Sequence, residues 1–219
     1  AGVHIFYDGP RHLRADVLKK ALLYTQSFGG IVAHLPFEPS LVKGESVHEG
    51  IYSIQVGMKG MSSIAESIIV ARDLQILEDV GGRLHFVNIS TKQSVELIRA
   101  AKKKGLQVTA DTAIHYLIVN DQSISALDTK EKVFPPFRSE EDVQALIDGV
   151  NDGTIDVICS DHTPQNIELK ELEYEYASPG ISSLDTFFHL YATYLTTKIK
   201  YEVFVKTISQ NPAKILGLQ

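Results

Sequence analysis

Residues 82–101 read GRLHFVNISTKQSVELIRAA and contain one complete strand-then-helix unit. Residues 84–89 form a short, mainly apolar run with β-branched and aromatic side chains, the composition of a buried strand. Beyond it, Val95, Ile98 and Ala101 recur at helical spacing on one face. The punctuation between and after them agrees. Ser90 followed by Gln93 has capping-box spacing, and Gly105 stands where a C-terminal cap belongs.

The same unit recurs in both directions along the chain. Strand-like runs lie at residues 3–6, 31–33, 106–110 and 155–159, each bounded by glycine or polar residues. Helical faces lie between them, one carrying Val17, Leu18, Ala21 and Leu22, another Ile64, Ile68, Ala71 and Leu74. Ser63 followed by Glu66 is a second capping-box pair, and Gly29 and Gly81 mark further helix ends.

Strands alternating with helices imply parallel pairing, in either an open doubly wound sheet or a closed barrel. No strand is followed by a glycine-rich phosphate loop, which counts against a nucleotide-binding open sheet. Polar residues instead end several strands: Tyr7-Asp8, His34, Asn88, Asp111 and Asp161-His162. Such groups converge on one mouth in a barrel. The expected fold is therefore α/β, a partial TIM-type (β/α)8 barrel, since five strand signals fall short of the eight in a complete barrel of roughly 250 residues. Five strands alone would leave two open sheet edges, a liability unless another segment or subunit covers them.

Composition narrows the partners. The chain has 219 residues, 44% apolar and 22% charged, with a formal net charge of -6. It has enough apolar material for a sizeable core but no basic stripe for nucleic acid or an anionic membrane. The run Lys102-Lys103-Lys104 falls at a predicted helix end, where cations oppose the negative dipole terminus. The single cysteine, Cys159, excludes an internal disulfide framework and suggests a reducing compartment, by default the cytoplasm. No signal leader or bilayer-length apolar run is legible.

Candidate chemistry sits at the strand ends. Asp161 follows an apolar strand and precedes a loop, so its carboxylate could hold a metal, take a proton from water or simply cap a turn. His34 also ends a strand, as a metal ligand or as a hydrogen-bonded structural histidine. His12, His48, His85 and His189 have no partners at ligand spacing. No HExxH or CxxC motif is present, so a metal site would have to be assembled from distant strand ends. Residues 116–139 read as a long irregular segment in which KVFPPFR (132–138) forces an extended course, either a loop over the mouth or a surface excursion.

Several of these stretches resemble the dihydroorotases of the amidohydrolase superfamily, particularly the long type related to allantoinases and dihydropyrimidinases. The similar segments are VHEG (47–50), ESIIVARDL (66–74), residues 82–101, KVFPPFR (132–138), SDHTP (160–164) and NPAKILGL (211–218). The resemblance implies a zinc-bearing barrel of pyrimidine biosynthesis that opens a small cyclic amide, interconverting dihydroorotate and carbamoyl aspartate. It places residues 1–219 in the C-terminal portion of one barrel, near strands 4 to 8, without the early strands and the flanking β-sandwich segments.

By the same resemblance His34 and Asp161 fall on metal-ligand positions, and Asp161 is also the catalytic base. Asn88 stands where relatives have a ligand histidine, and Tyr7 near the bridging carboxylate. Phe134 and Gln165 occupy substrate-binding positions usually held by asparagine and histidine. Two retained ligands fall short of the three or so that a catalytic zinc needs. The resemblance thus implies an impaired site, a homo-oligomer and aspartate transcarbamoylase as a candidate partner. The alternative it leaves open is an active cyclic-amide hydrolase with an altered metal centre.

Overall fold

The structure is a computed structural model that describes residues 2–44, 46–123 and 127–218; positions 124–126 of the irregular 116–139 segment lie outside them. The strands are β1 (Ile5–Tyr7), β2 (Ile31–His34), β3 (Val47–His48), β4 (Gly60–Met61), β5 (Leu84–Phe86), β6 (Val108–Ala113) and β7 (Val157–Cys159). The longer helices are α1 (Ala15–Gln26), α3 (Ile64–Val80), α4 (Lys92–Lys103) and α5 (Glu140–Asp152), with a short α2 (Ile51–Gln55) in the excursion after β2.

Five strands pair in parallel in the order β1-β2-β5-β6-β7, which is also their chain order. The small parallel pair β3-β4 stands apart. The helices pack consecutively, α1 on α3, α3 on α4 and α4 on α5. A doubly wound sheet reverses its strand order at a switch point. An order that never reverses, with right-handed crossovers, puts the helices on one side of the sheet, as in a barrel wall.

Leu84, Phe86, Val95, Ile98, Val108 and Ala110 are buried between this sheet and its helices. Each large apolar side chain there contributes about 1.5–3 kcal/mol by leaving water. Strand β1 is the exception: Ile5, Phe6 and Tyr7 are 37%, 40% and 46% exposed, and among the described residues it pairs with β2 alone.

Two local expectations are corrected by burial. Ser63 precedes α3 without a side-chain cap, and Glu66 makes no capping box with it. Glu66 is fully buried and accepts hydrogen bonds from Ser90 N, Ser90 Oγ (2.5 Å), Thr91 N (3.0 Å) and Thr91 Oγ1 (2.8 Å). With Ser90 engaged in this way, the cap of α4 passes to Thr91, whose hydroxyl accepts from Ser94 N. The lysines at the end of α4 do more than face the dipole: Lys102 reaches Asp156 at 2.6 Å and Lys104 reaches Glu78 at 3.1 Å.

Candidate functional site

The carboxyl ends of the strands open into a cavity of about 840 Å³, lined among others by Tyr7, Asn88, Asp111, Phe134, Asp161 and Gln165. Tyr7 is the last residue of β1, Asn88 follows β5, Asp111 lies on β6 and Asp161 follows β7. Parallel strands in register deliver these side chains to one end of the sheet. Asn88 and Asp161 both have left-handed backbones, at φ 52° and 46°. For residues other than glycine this is strained backbone, a feature that clusters at functional sites.

Hydrogen bonds tie the floor together. Asp111 accepts from Asn88 N at 2.7 Å and meets His85 Nε2 at 2.9 Å, while His85 Nδ1 meets Thr109 Oγ1 at 2.8 Å. Cys159 Sγ donates to Asn88 Oδ1 at 3.3 Å, and burial holds its thiol well above the usual range. A protonated, buried thiol is a poor nucleophile. Burial also raises the Asp161 carboxyl, a shift opposed by its hydrogen bond with Asn88 and reinforced by the Asp111 charge. Burial pushes the Tyr7 phenol up to about 12, with further repulsion from Asp111 and Asp161.

His34 lies elsewhere. It is 2% exposed and is not among the residues lining the cavity. Its Nδ1 bonds Asp73 Oδ2 at 2.6 Å, and its Nε2 accepts the backbone N–H of Leu13 at 3.2 Å. This pattern requires the proton on Nδ1. Arg72 closes the ring, donating to Asp73 Oδ1 through Nε at 2.8 Å and to Leu13 O through Nη2 at 2.7 Å. Both nitrogens of the imidazole are therefore engaged by protein groups.

The donor set offered by this chain does not fit zinc. A catalytic zinc needs about three nitrogen, sulfur or carboxylate ligands that converge with free lone pairs. Here the His34 Nε2 lone pair is taken by Leu13, each oxygen of Asp111 already meets a protein donor, His85 or Asn88 N, and the neutral amide of Asn88 stands beside Asp161. Among the described residues no group of three or more His, Cys, Asp or Glu is placed to hold a metal ion.

The other substrate-position candidates do meet in the cavity. Phe134 packs edge-on against Phe37, with ring centroids 5.3 Å apart at 90°. Gln165 Nε2 reaches Thr163 O at 3.4 Å. Gly180 closes this side because no side chain fits there: an added Cβ would lie 2.2 Å from Thr163 O.

Sequence reasoning missed His115. It is 3% exposed, its Nε2 stands 3.9 Å from Asp161 Oδ2, and neither ring nitrogen has a hydrogen-bond partner. Burial drives its pKa down to about 3, so the ring is neutral. A lone histidine in the turn after β6 carries no sequence signal. The role of Asp111, by contrast, could have been read from a carboxylate inside a β-branched run, since it needs a donor such as His85 once buried.

No family model matches the chain. It is 40% identical over 215 residues to a dihydroorotase of Thermoanaerobacter sp. strain X514, covering 96% of this chain and 49% of that protein. It is 37% identical over 219 residues to the dihydroorotase of Acetivibrio thermocellus, covering 99% and 51%. Among solved structures, the dihydropyrimidinase of Brevibacillus agri superposes with a TM-score of 0.83 at 18% identity, covering 99% of this chain and 50% of that one. A dihydroorotase from Saccharomyces cerevisiae in complex with 5-fluoroorotic acid gives 0.73 at 13% identity, covering 100% and 60%. These two superpositions establish the fold alone. The chain spans about half the length of the curated relatives it matches. Sequence and fold together place the chain in the dihydroorotase family of the amidohydrolase superfamily, as a partial TIM-type barrel.

Proposed function

We propose that this chain is the C-terminal portion of a dihydroorotase-type barrel whose mouth no longer supports zinc-dependent ring opening, and that it serves as a structural or regulatory partner. The observation that carries the reading is His34, whose two ring nitrogens are taken by Asp73 and Leu13. Without that imidazole and with Asn88 in place of a histidine, the mouth is left with the carboxylates of Asp161 and Asp111, a phenol and an amide, and no His34 nitrogen free to ligate. Barrel stability resides in the core and the helix packing, so the mouth can lose its chemistry while the fold persists.

The family resemblance supplies the candidate setting: the cytoplasm, pyrimidine biosynthesis, a homo-oligomer and aspartate transcarbamoylase as the partner. The described residues include no helix long and apolar enough to cross a membrane. The test is a ring-opening assay on the full-length polypeptide with added zinc and dihydroorotate. The expected result is no turnover above buffer.

One observation favours a second reading, an active cyclic-amide hydrolase with an altered centre. Asp161 is a carboxyl of raised pKa at the cavity wall, the property a proton-transferring group needs. On that reading the full-length polypeptide turns over, and Asp161→Ala lowers the rate by roughly 10²–10⁴-fold.

A further inference from the structure

Residues 46–61 form an arm between β2 and α3, in which β3 pairs with β4 and, among the described residues, with no strand of the main sheet. Ser46 N donates to Lys59 O at 3.2 Å and Glu49 N to Met61 O at 3.1 Å, so the two limbs of the arm are joined to each other. Arg138, in the segment leading into α5, fastens the arm to the body. Its Nη1 donates to Met61 O on β4 at 2.9 Å and to His48 Nδ1 on β3 at 3.3 Å, so one nitrogen holds both limbs.

The donor count fixes the state of the ring. A guanidinium has donors alone, so His48 Nδ1 must present a lone pair to it. A proton there would set N–H against N–H and place a second positive charge beside the first. The guanidinium itself is incompletely held: it is 2% exposed, its Nε donates to Ser90 Oγ at 3.1 Å, and its Nη2 has no hydrogen-bond partner among the described residues. Buried polar groups are normally satisfied, so this contact has little to spare.

The charged groups that act on His48 are Arg138, Asp121 and Asp142, while Glu66 and Asp142 act on the guanidinium. Burial and the Arg138 charge hold the imidazole below its ordinary 6.5, against the pull of Asp121 and Asp142. Asp121 also offers a protonated ring another partner. A Cβ added at Gly50 would lie 3.7 Å from Asp121 Oδ2 and 4.0 Å from His48 Nε2, so the carboxylate and the far ring nitrogen flank the same point. A neutral ring on Arg138 and an imidazolium turned to Asp121 are alternative pairings of one side chain, the form a pH switch takes.

We propose that His48 and Arg138 form an acid-released latch: the neutral ring fastens the arm 46–61 to the body, and a proton on His48 detaches it. The sign follows from linkage. A released ring titrates near 6.5 and binds a proton that the fastened ring refuses. The latch is therefore at full strength above pH 6.5 and weakens as the pH falls, by up to about tenfold per pH unit until the fastened ring also titrates. It does not depend on the mouth or on a metal there.

The experiment is hydrogen–deuterium exchange of the full-length polypeptide from pH 7.5 to pH 4.5, corrected for intrinsic amide rates, beside His48→Gln and Asp121→Asn. Glutamine keeps an acceptor for Arg138 and takes no proton. In the unsubstituted protein, protection of the arm amides should fall at least tenfold across this range while that of α4 and β6 holds. His48→Gln should keep the arm protected throughout. Asp121→Asn, which removes a charge favouring the imidazolium, should move the release to lower pH. Arm protection that ignores pH, that falls as far in His48→Gln, or that falls only together with α4 and β6 would overturn the proposal. So would release at an unchanged pH in Asp121→Asn, which alone decides the matter if glutamine leaves the arm open at every pH.

Discussion

Glu66→Ala is expected to cost the fold about 3–5 kcal/mol, the range for stripping one partner from a buried charged network. Glu66 has no solvent exposure and is the acceptor for two backbone N–H groups and two hydroxyls at the start of α4. Alanine would leave the backbone N–H groups of Ser90 and Thr91 buried without that acceptor, while the Thr91 hydroxyl keeps Ser94 Oγ as a partner, and each unsatisfied donor carries a penalty of about 1–3 kcal/mol before relaxation. The change would also remove the carboxylate whose charge favours the buried Arg138 guanidinium, which donates through Nε to Ser90 Oγ at 3.1 Å. Guanidinium chloride unfolding measures the loss as a lower midpoint at unchanged slope. A shift worth less than about 1 kcal/mol, the scale of a single ordinary hydrogen bond, would show that Glu66 is not the anchor the geometry makes it.

The second large effect is acid sensitivity through His115. Its pKa falls from 6.5 to about 3 in the folded protein because burial disfavours the imidazolium. Between those values the unfolded chain binds a proton that the native state refuses, so stability rises with pH there and falls on acidification. The stabilising effect is fully present above pH 6.5 and is lost progressively toward pH 3. At 1.36 kcal/mol per unit the whole interval is worth roughly 4–5 kcal/mol. Asp161, with its carboxyl raised, works in the opposite direction at the acid end. Comparison with His115→Phe isolates the histidine, since Tyr116 and Phe137 already form an aromatic pocket around it. From pH 7 to pH 3.5 the unfolding free energy of the unsubstituted protein should fall more steeply than that of His115→Phe. Parallel curves for the two proteins would refute this assignment.

The strand–helix alternation and the strand-end polar residues were legible because apolar periodicity is a local signal. Boundaries were less so. The run 106–110 became β6 at Val108–Ala113, since Asp111 and Thr112 extend the strand with polar residues that an apolar run excludes. The run 84–89 ended at Phe86, with the chain in a left-handed turn at Asn88. Glu66 stood at capping-box distance from Ser63, but its true partners lie 24 and 25 residues away. His34 read correctly as a strand-end imidazole, whereas its engagement depends on Leu13 and Asp73, at separations of 21 and 39 residues. Spacing within one segment cannot reveal partners of that kind, and they decide whether a ring nitrogen is free to ligate.

The central claim, that the groups at these strand ends do not grip a metal, is tested most directly by titrating zinc into chelator-treated full-length polypeptide and counting the ions bound. The account expects no stoichiometric site, and expects His34→Asn to lower unfolding stability, through loss of the Asp73 and Leu13 contacts, without changing metal content. One zinc per chain, lost in both His34→Asn and Asp161→Asn, would contradict it.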